Sequence, residues 1–449
     1  MNGKVAAPAG LIFAACTVSL SGLLFGFDTA VIAGVTDALR SQYDLSAAAL
    51  GLTVSSALLG TMVGAGVAGT WGDRVGGRSG LRMTAALYLV SGIGCAIAWG
   101  WVPLIGFRIL AGVAIGASSV LAPVYLAEIA PASRRGAIVG SFQISIVLGI
   151  LLAYVSNAAV SALVPNAADA WRWKLGVTAA PALLFQLLLV FVPDSPRWLV
   201  LRGRSQEAMA AARRLYGPAA EPEVPHPAAA SRKPSLSRIW AEAPRPVLFA
   251  IAIGALNQLT GINAVLYYLN DIFRAAGFAQ VSADLQAIAV GVANFVFTLV
   301  GMVLIDRVGR RPLLLVGGFA MAVLLALAAA IMLGWLPRAL MLGVLIGFIA
   351  AFATSQGTVI WVYLSEIFPA RFRAAGQAIG AGTIWLFDAL VAALFPVAAA
   401  VSPAVPFLFF MFCMLAQGLL VYAFFPETKG ASLEEIEQRM GTAAGDLAP

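Results

Sequence analysis

The sequence predicts an all-α membrane protein: twelve transmembrane helices in two pseudo-symmetric six-helix bundles, with short helices in a cytoplasmic linker. Three observations predict it. Hydrophobic residues make up 61% of the 449 residues and charged residues 11%, with a mean hydropathy of +0.91. A soluble domain carries ~45–50% apolar and ~25% charged residues. Apolar runs of about 20 residues, the length that spans a bilayer core, recur along the whole chain. Two loop patterns of mixed charge also occur once in each half.

The apolar segments lie near 10–34, 47–71, 80–100, 102–126, 137–161 and 173–192, then 247–269, 285–305, 312–334, 339–363, 375–398 and 404–425. The first contains LIFAAC, ending at Cys16 as a lipoprotein cleavage site would. Its apolar run continues to Val35, so it reads as an uncleaved membrane helix. The interval 193–246 interrupts the series. Within it SQEAMAAARRLYG reads as a short surface helix and PAAEPEVPHPAAASRKP as a flexible linker. The expected domains are a bundle over 1–192, a cytoplasmic linker over 193–246, a second bundle over 247–425 and a cytoplasmic tail over 426–449.

The halves repeat each other. GDRVGGR at 72–78 returns as IDRVGRR at 305–311, and AEIAPASRRG at 127–136 returns as SEIFPARFRA at 365–374. Parallel six-helix repeats suit a carrier that rocks one half against the other. Of the 28 Lys and Arg residues, 22 fall on the side of the N-terminus and linker, 5 on the opposite side, and Arg108 inside a helix. That bias places both termini and the central linker in the cytoplasm, and the expected location is a bacterial-type inner membrane. The net charge of +7 is thus a topology signal, and no nucleic-acid partner is expected.

Enzymatic and metal chemistry are not expected. Cys16, Cys95 and Cys413 each sit in an apolar run without a CxxC pattern or a nearby His. The one histidine, His226, lies in a Pro-rich loop, and no phosphate-binding GxxxxGK[ST] is present. Neither a cofactor nor a metal ion is implied.

Eight stretches carry a resemblance. They are GFDTAVIAG, GDRVGGR, RILAGVAIGASSVLAPVYLAEIAPASRRG, PDSPRWL, NQLTGINAVLYY, DRVGRRPLLL, WVYLSEIFPARFRAAG and FFPETKG, in order along nearly the full chain. In these the chain resembles the sugar porter family of the major facilitator superfamily. The resemblance implies the major facilitator fold and uptake of a monosaccharide, a hexose or a pentose, with protons, by a monomer in a lipid bilayer. A facilitative sugar uniporter or a polyol–proton symporter remains open. A drug–proton antiporter fits less well, because that class lacks the PDSPRW and PETKG pair.

Polar side chains inside a membrane are costly and usually face a cavity. By the resemblance, Phe25, Gln143, Asn257, Gln258, Asn263, Tyr267, Asn294, Trp361, Trp385 and Asp388 contact substrate. The chemistry agrees: amides donate and accept, as sugar hydroxyls do, and an indole packs against the apolar face of a sugar ring. The bland alternative is hydrogen bonding between helices, the reading favoured for Asn157. Ile150, Asn257, Ile384, Asp388 and the proline-free GTVIW depart from the family pattern, which bears on which sugar is taken.

The resemblance also implies a cytoplasmic gate of reversible ion pairs. Its residues are Asp73, Arg74, Arg78, Glu128, Arg134 and Arg135 in the first half and Asp306, Arg307, Arg310, Glu366, Arg371 and Arg373 in the second. Half-exposed pairs worth ~0–1 kcal/mol suit a contact that must open. Within GLLFGFDTAVIAG stands one acid, Asp28. At 1.5 Å per residue, Asp28 and Arg108 each lie about 9 Å inside the outer end of their helices. A guanidinium that approaches and leaves a buried carboxylate would swing it between charged and protonated. This makes Asp28 and Arg108 the candidate proton-coupling pair, with a static ion pair as the alternative.

Overall fold

The protein is described here from a computed structural model, which describes residues 8–164, 169–218, 236–369, 372–430 and 435. The chain divides into two compact units, Met1–Leu45 with Ser56–Ala230, and Ser46–Ser55 with Ser231–Pro449.

The first unit begins with α1 (Ala9–Val31), which tightens into a 3₁₀ turn over Ile32–Gly34. There follow α2 (Thr36–Tyr43), α3 (Ala47–Val75, which belongs to this unit from Ser56 on), α4 (Gly77–Ile97), α5 (Trp101–Ile129) and α6 (Arg135–Leu163). Helices α7 (Ala170–Gly176) and α8 (Ala179–Leu188) come next. Two short helices close the unit, α9 (Pro196–Leu201) and α10 (Ser205–Tyr216).

Close helix approach in this unit is written in glycines. A Cβ added at Gly112 or Gly116 of α5 would lie 1.8 or 2.1 Å from the carbonyl oxygens of Ala57 and Thr61 on α3. Gly60 and Gly64 return the favour toward Ile109 and Val113. The i, i+4 spacing on both helices is the small-residue pattern by which membrane helices gain packing without a hydrophobic drive.

In the second unit α11 (Leu236–Glu242) leads to α12 (Pro244–Gln258), α13 (Ile262–Tyr267) and α14 (Leu269–Ala275). Then come α15 (Gln280–Val308), α16 (Arg310–Met332), α17 (Met341–Thr354), α18 (Gln356–Glu366), α19 (Arg373–Val401) and α20 (Val405–Phe424). Two of the expected membrane segments are broken here. Gly261, at φ +81°, separates α12 from α13 in a left-handed conformation that glycine adopts freely. Ser355 separates α17 from α18, where the Thr354 and Ser355 hydroxyls donate back to the carbonyls of Ala350 and Ala351.

Among the described residues, eleven helices are long and apolar enough to cross a membrane, against the twelve segments expected. The difference is the segment near 173–192, folded as α7 and α8. Pro181 lacks an N–H and its ring crowds the Val177 carbonyl four residues back, so the helix restarts there.

Candidate transport site

In the first unit, α1 and α5 carry an acid and a base to the same place. Arg108 Nη1 lies 3.0 Å from both Oδ1 and Oδ2 of Asp28. Asp28 is 6% exposed and Arg108 3%. Beyond Asp28, the end of α1 and the turn after it are tied to neighbouring helices. Asn157 Nδ2 donates to the Val31 carbonyl at 3.1 Å, and Lys174 Nζ to the Gly34 carbonyl at 2.9 Å. A helix end leaves such carbonyls without intrahelical partners, and a cation there also suits the helix dipole. Phe25 lies on α1 and Gln143 on α6, both half-buried.

In the second unit the break at Gly261 gathers amides. Asn263 Nδ2 donates to Gln258 Oε1 at 3.0 Å and to Asp388 Oδ2 at 2.9 Å. Gln258 donates to Asn257 at 3.1 Å, and Asn257 to Gln356 at 3.2 Å. The Tyr267 hydroxyl lies 3.2 Å from Asp388 Oδ2. Thr260 fixes the turn, donating to the Asn257 carbonyl and accepting from Ile262 N–H. Asn257, Gln258, Asn263, Tyr267 and Asp388 are therefore brought into one network. Trp385 is buried on α19 one turn before Asp388, and Asn294 is buried on α15. Trp361 on α18 is 45% exposed.

Two members of this network are absent from the residues singled out by sequence. Gln356 opens α18, and its Nε2 donates to Gln417 Oε1 on α20. A single amide inside the apolar run of α20 is the signal that marks Gln417, since membrane helices carry such groups only at a cost.

The candidate gate residues meet mostly backbone. In the first unit Arg78 donates to the carbonyls of Leu189 and Val190 at 3.3 and 2.9 Å and stands 4.0 Å from Asp194. The Asp73 carbonyl accepts from Trp198 Nε1 and Arg202, and the Arg74 carbonyl from Arg202. Glu128 faces the Ser195 hydroxyl and Arg197. Burial pushes the Asp194 carboxyl up, against the pull of Arg78 and Arg204. Arg134 is half-buried and Arg135 exposed at the start of α6.

The second unit repeats the pattern. Arg311 donates to the carbonyls of Val421 and Tyr422, and Arg310 pairs with Glu366 at 2.9 Å. The exposed Asp306 stands 3.9 Å from Arg310, and the Arg307 carbonyl accepts from Lys429. The Thr428 hydroxyl donates to Glu366 at 2.6 Å. Tyr125 donates to the Pro193 carbonyl in the first unit as Tyr363 does to that of Pro426 in the second. The PDSPRWL and FFPETKG stretches thus dock on the helix ends through their own polar groups. Arg371 and the side chain of Arg373 lie outside the described residues.

A family profile described as "Sugar (and other) transporter" matches residues 14–440. The chain belongs to this family of sugar porters. The transporter is 34% identical to the D-xylose-proton symporter of Escherichia coli strain K12, over 93% of each chain. It is 36% identical to the glucose facilitated diffusion protein of Zymomonas mobilis, over 94% of this chain and 96% of that one. Among solved structures it is similar to the xylose transporter XylE from E. coli in a partially occluded inward-open conformation. There the TM-score is 0.82 at 31% identity, covering 95% of this chain and 100% of that one. The fold is that of the major facilitator superfamily, the chain is a multi-pass membrane transporter, and its relatives carry solutes and are not enzymes.

Proposed function

We propose that the transporter moves a monosaccharide, a hexose or a pentose, together with a proton by alternating access. It would work in a bacterial inner membrane with both termini in the cytoplasm. The observation that carries this reading is the buried Asp28–Arg108 pair. A carboxylate of 6% exposure is tolerable in a membrane while a guanidinium lies against it. When the guanidinium withdraws, the carboxylate must take a proton or remain as an uncompensated buried charge. A proton binding event is thereby tied to a helix movement.

Phe25 and Gln143 in the first unit, and Asn257, Gln258, Asn263, Tyr267, Asn294, Trp361, Trp385 and Asp388 in the second, are the proposed sugar contacts. Asp73, Arg74, Arg78, Glu128, Arg134, Arg135, Asp306, Arg307, Arg310, Glu366, Arg371 and Arg373 are the proposed cytoplasmic gate. The similarity to a facilitated diffusion protein at 36% identity supports uniport as the second reading.

Radiolabelled D-xylose and D-glucose uptake into energised vesicles separates the two. Under symport, a protonophore abolishes accumulation by the parent. Asp28→Asn, which mimics a permanently protonated carboxyl, keeps exchange of label across the membrane and loses accumulation. A parent indifferent to the protonophore makes the protein a uniporter.

A further inference from the structure

The amide network of the second unit has a direction. Asn263 donates to Gln258, Gln258 to Asn257, Asn257 to Gln356 and Gln356 to Gln417, so each side-chain N–H₂ points to the next carbonyl oxygen. At the far end Gln417, 1% exposed, has a buried Nε2 with no hydrogen-bond partner. At the near end Asn263 is only half-buried, and its Oδ1 has no partner among the described residues. Asn263 also donates to Asp388, a carboxylate that is 1% exposed.

This polarity is imposed from one place. An ionised carboxylate has no hydrogen to donate, so Asn263 must turn its N–H₂ toward Asp388. That same nitrogen then faces Gln258, which must present oxygen, and the requirement passes along to Gln417. The arrangement leaves a donor stranded in the apolar interior, a cost of the kind buried groups usually avoid.

A side-chain amide can turn end for end with its heavy atoms in place. If Asp388 holds a proton, its O–H donates to Asn263 Oδ1, which also accepts from Gln258 Nε2. Gln258 Oε1 then accepts from Asn257, Asn257 from Gln356, and Gln356 from Gln417 Nε2. Every bond of the chain survives the reversal, and the stranded group at Gln417 changes from a donor to a carbonyl oxygen, the less costly of the two to leave unpaired.

We infer that Asp388 is a proton-operated switch for this chain, reversing the five amides from Asn263 to Gln417 together. The proton comes from solvent and stays on a carboxylate oxygen, and no other bond forms or breaks. The functional consequence falls on the half-buried end: the free group of Asn263 changes from an acceptor to a donor pair. A sugar hydroxyl there meets opposite hydrogen-bonding demands in the two states. Asp388 is thus a positioning residue whose proton sets which hydroxyl pattern is held.

The surroundings leave the carboxylate to a proton. From α13, Tyr267 and Asn263 face it. From α11, α12, α18 and α20 no charged or titratable group acts on it among the described residues. This distinguishes it from Asp28, which has Arg108. The effect on sugar rests on the proposed transport function, but the switch itself does not.

Infrared difference spectra of the purified full-length transporter, taken between neutral and acid pH without sugar, test the switch directly. A protonated-carboxyl band is expected to appear together with shifts in the amide side-chain bands. The carboxyl band vanishes in Asp388→Asn and moves in Tyr267→Phe, which removes one donor and keeps the chain intact. A carboxyl band insensitive to both changes, or amide bands that stay still as it appears, overturns the inference. Calorimetric titration with D-xylose and D-glucose supplies the second arm. Affinity is expected to change roughly tenfold with pH in Asp28→Asn, where the other buried carboxyl no longer titrates, and to be flat in the double variant Asp28→Asn with Asp388→Asn. A pH effect of the same size in the double variant as in Asp28→Asn overturns the coupling. An intact infrared switch in a protein that binds neither sugar leaves the switch standing and removes the proposed substrate class.

Discussion

Arg108 holds Asp28 through a single nitrogen, Nη1, 3.0 Å from each carboxylate oxygen, while its own Nε is buried without a partner. The pair is therefore close but under-satisfied. A bidentate fork would lock the two helices together more firmly, since two parallel bonds add geometry as well as energy. One-nitrogen contact is a weaker clasp, suited to a pair that must part.

Removing the charge of the acid should harm the fold more than removing the charge of the base. Asp28→Asn leaves a buried guanidinium that cannot shed its proton and is expected to cost ~3–5 kcal/mol. Arg108→Gln leaves a buried carboxyl that can neutralise itself by taking a proton, and should cost less. Thermal unfolding in detergent at neutral pH gives the order. An Arg108→Gln midpoint below that of Asp28→Asn would mean that the carboxylate stays charged without its partner.

Sugar affinity should fall on losing either of two amides, Gln143 on α6 or Gln258 on α12. An unpaired buried hydroxyl or amide costs ~1–3 kcal/mol, so each alanine variant should bind ten- to hundredfold more weakly. Gln258→Ala should also unfold at lower temperature, because it cuts the bonds to Asn257 and Asn263. Titration calorimetry beside a melting curve separates the effects, and unchanged affinity in both variants would move the substrate elsewhere.

Glu427 should act as a helix cap. Its carboxylate accepts from the backbone N–H groups of Arg310 and Arg311 at 3.0 Å, at the start of α16, and from those of Thr428 and Lys429. Glu427→Ala strands the first two donors at a positive helix end and is expected to cost ~1–2 kcal/mol. Glu427→Gln should recover part of this by keeping an acceptor. Chemical denaturation of the three proteins checks the ranking, and an alanine variant as stable as the parent would reduce the contact to a passive one.

Asp194 should make the protein less stable as pH rises. Burial raises its carboxyl pKa in the folded state, so the folded chain binds that proton more tightly than the unfolded chain. The stabilisation is present below the ordinary carboxylate value and is lost as pH climbs through the raised one. Asp194→Asn should flatten this part of the profile and melt higher than the parent at neutral pH. A variant that melts lower there would show that its contact with Arg78 outweighs the desolvation.

Much of this was legible in the chain itself. Length, hydropathy and recurring apolar runs specify a polytopic helical protein, because a bilayer leaves few ways to satisfy a backbone. The paired loop motifs disclose the internal repeat, and the lone charges Asp28 and Arg108 stand out because a membrane penalises them. Less legible were the breaks. Pro181 and the Thr354–Ser355 hydroxyls each interrupt an apolar run that hydropathy alone treats as continuous, whereas Gly261 between two amides marks its own break.

Family, fold and most of the costly polar residues follow from local composition and order along the chain, and Gln356 and Gln417 are the exceptions. Their partners follow from how the helices pack. Arg108 is 80 residues from Asp28, and Asn263 lies 125 residues from Asp388. Gln417 became part of the amide chain because α20 packs where the opened α17–α18 segment turns Gln356 toward it. Hydrogen bonds act over about 3 Å, so which polar groups meet depends on how distant helices pack, and no reading of one helix at a time contains that distance.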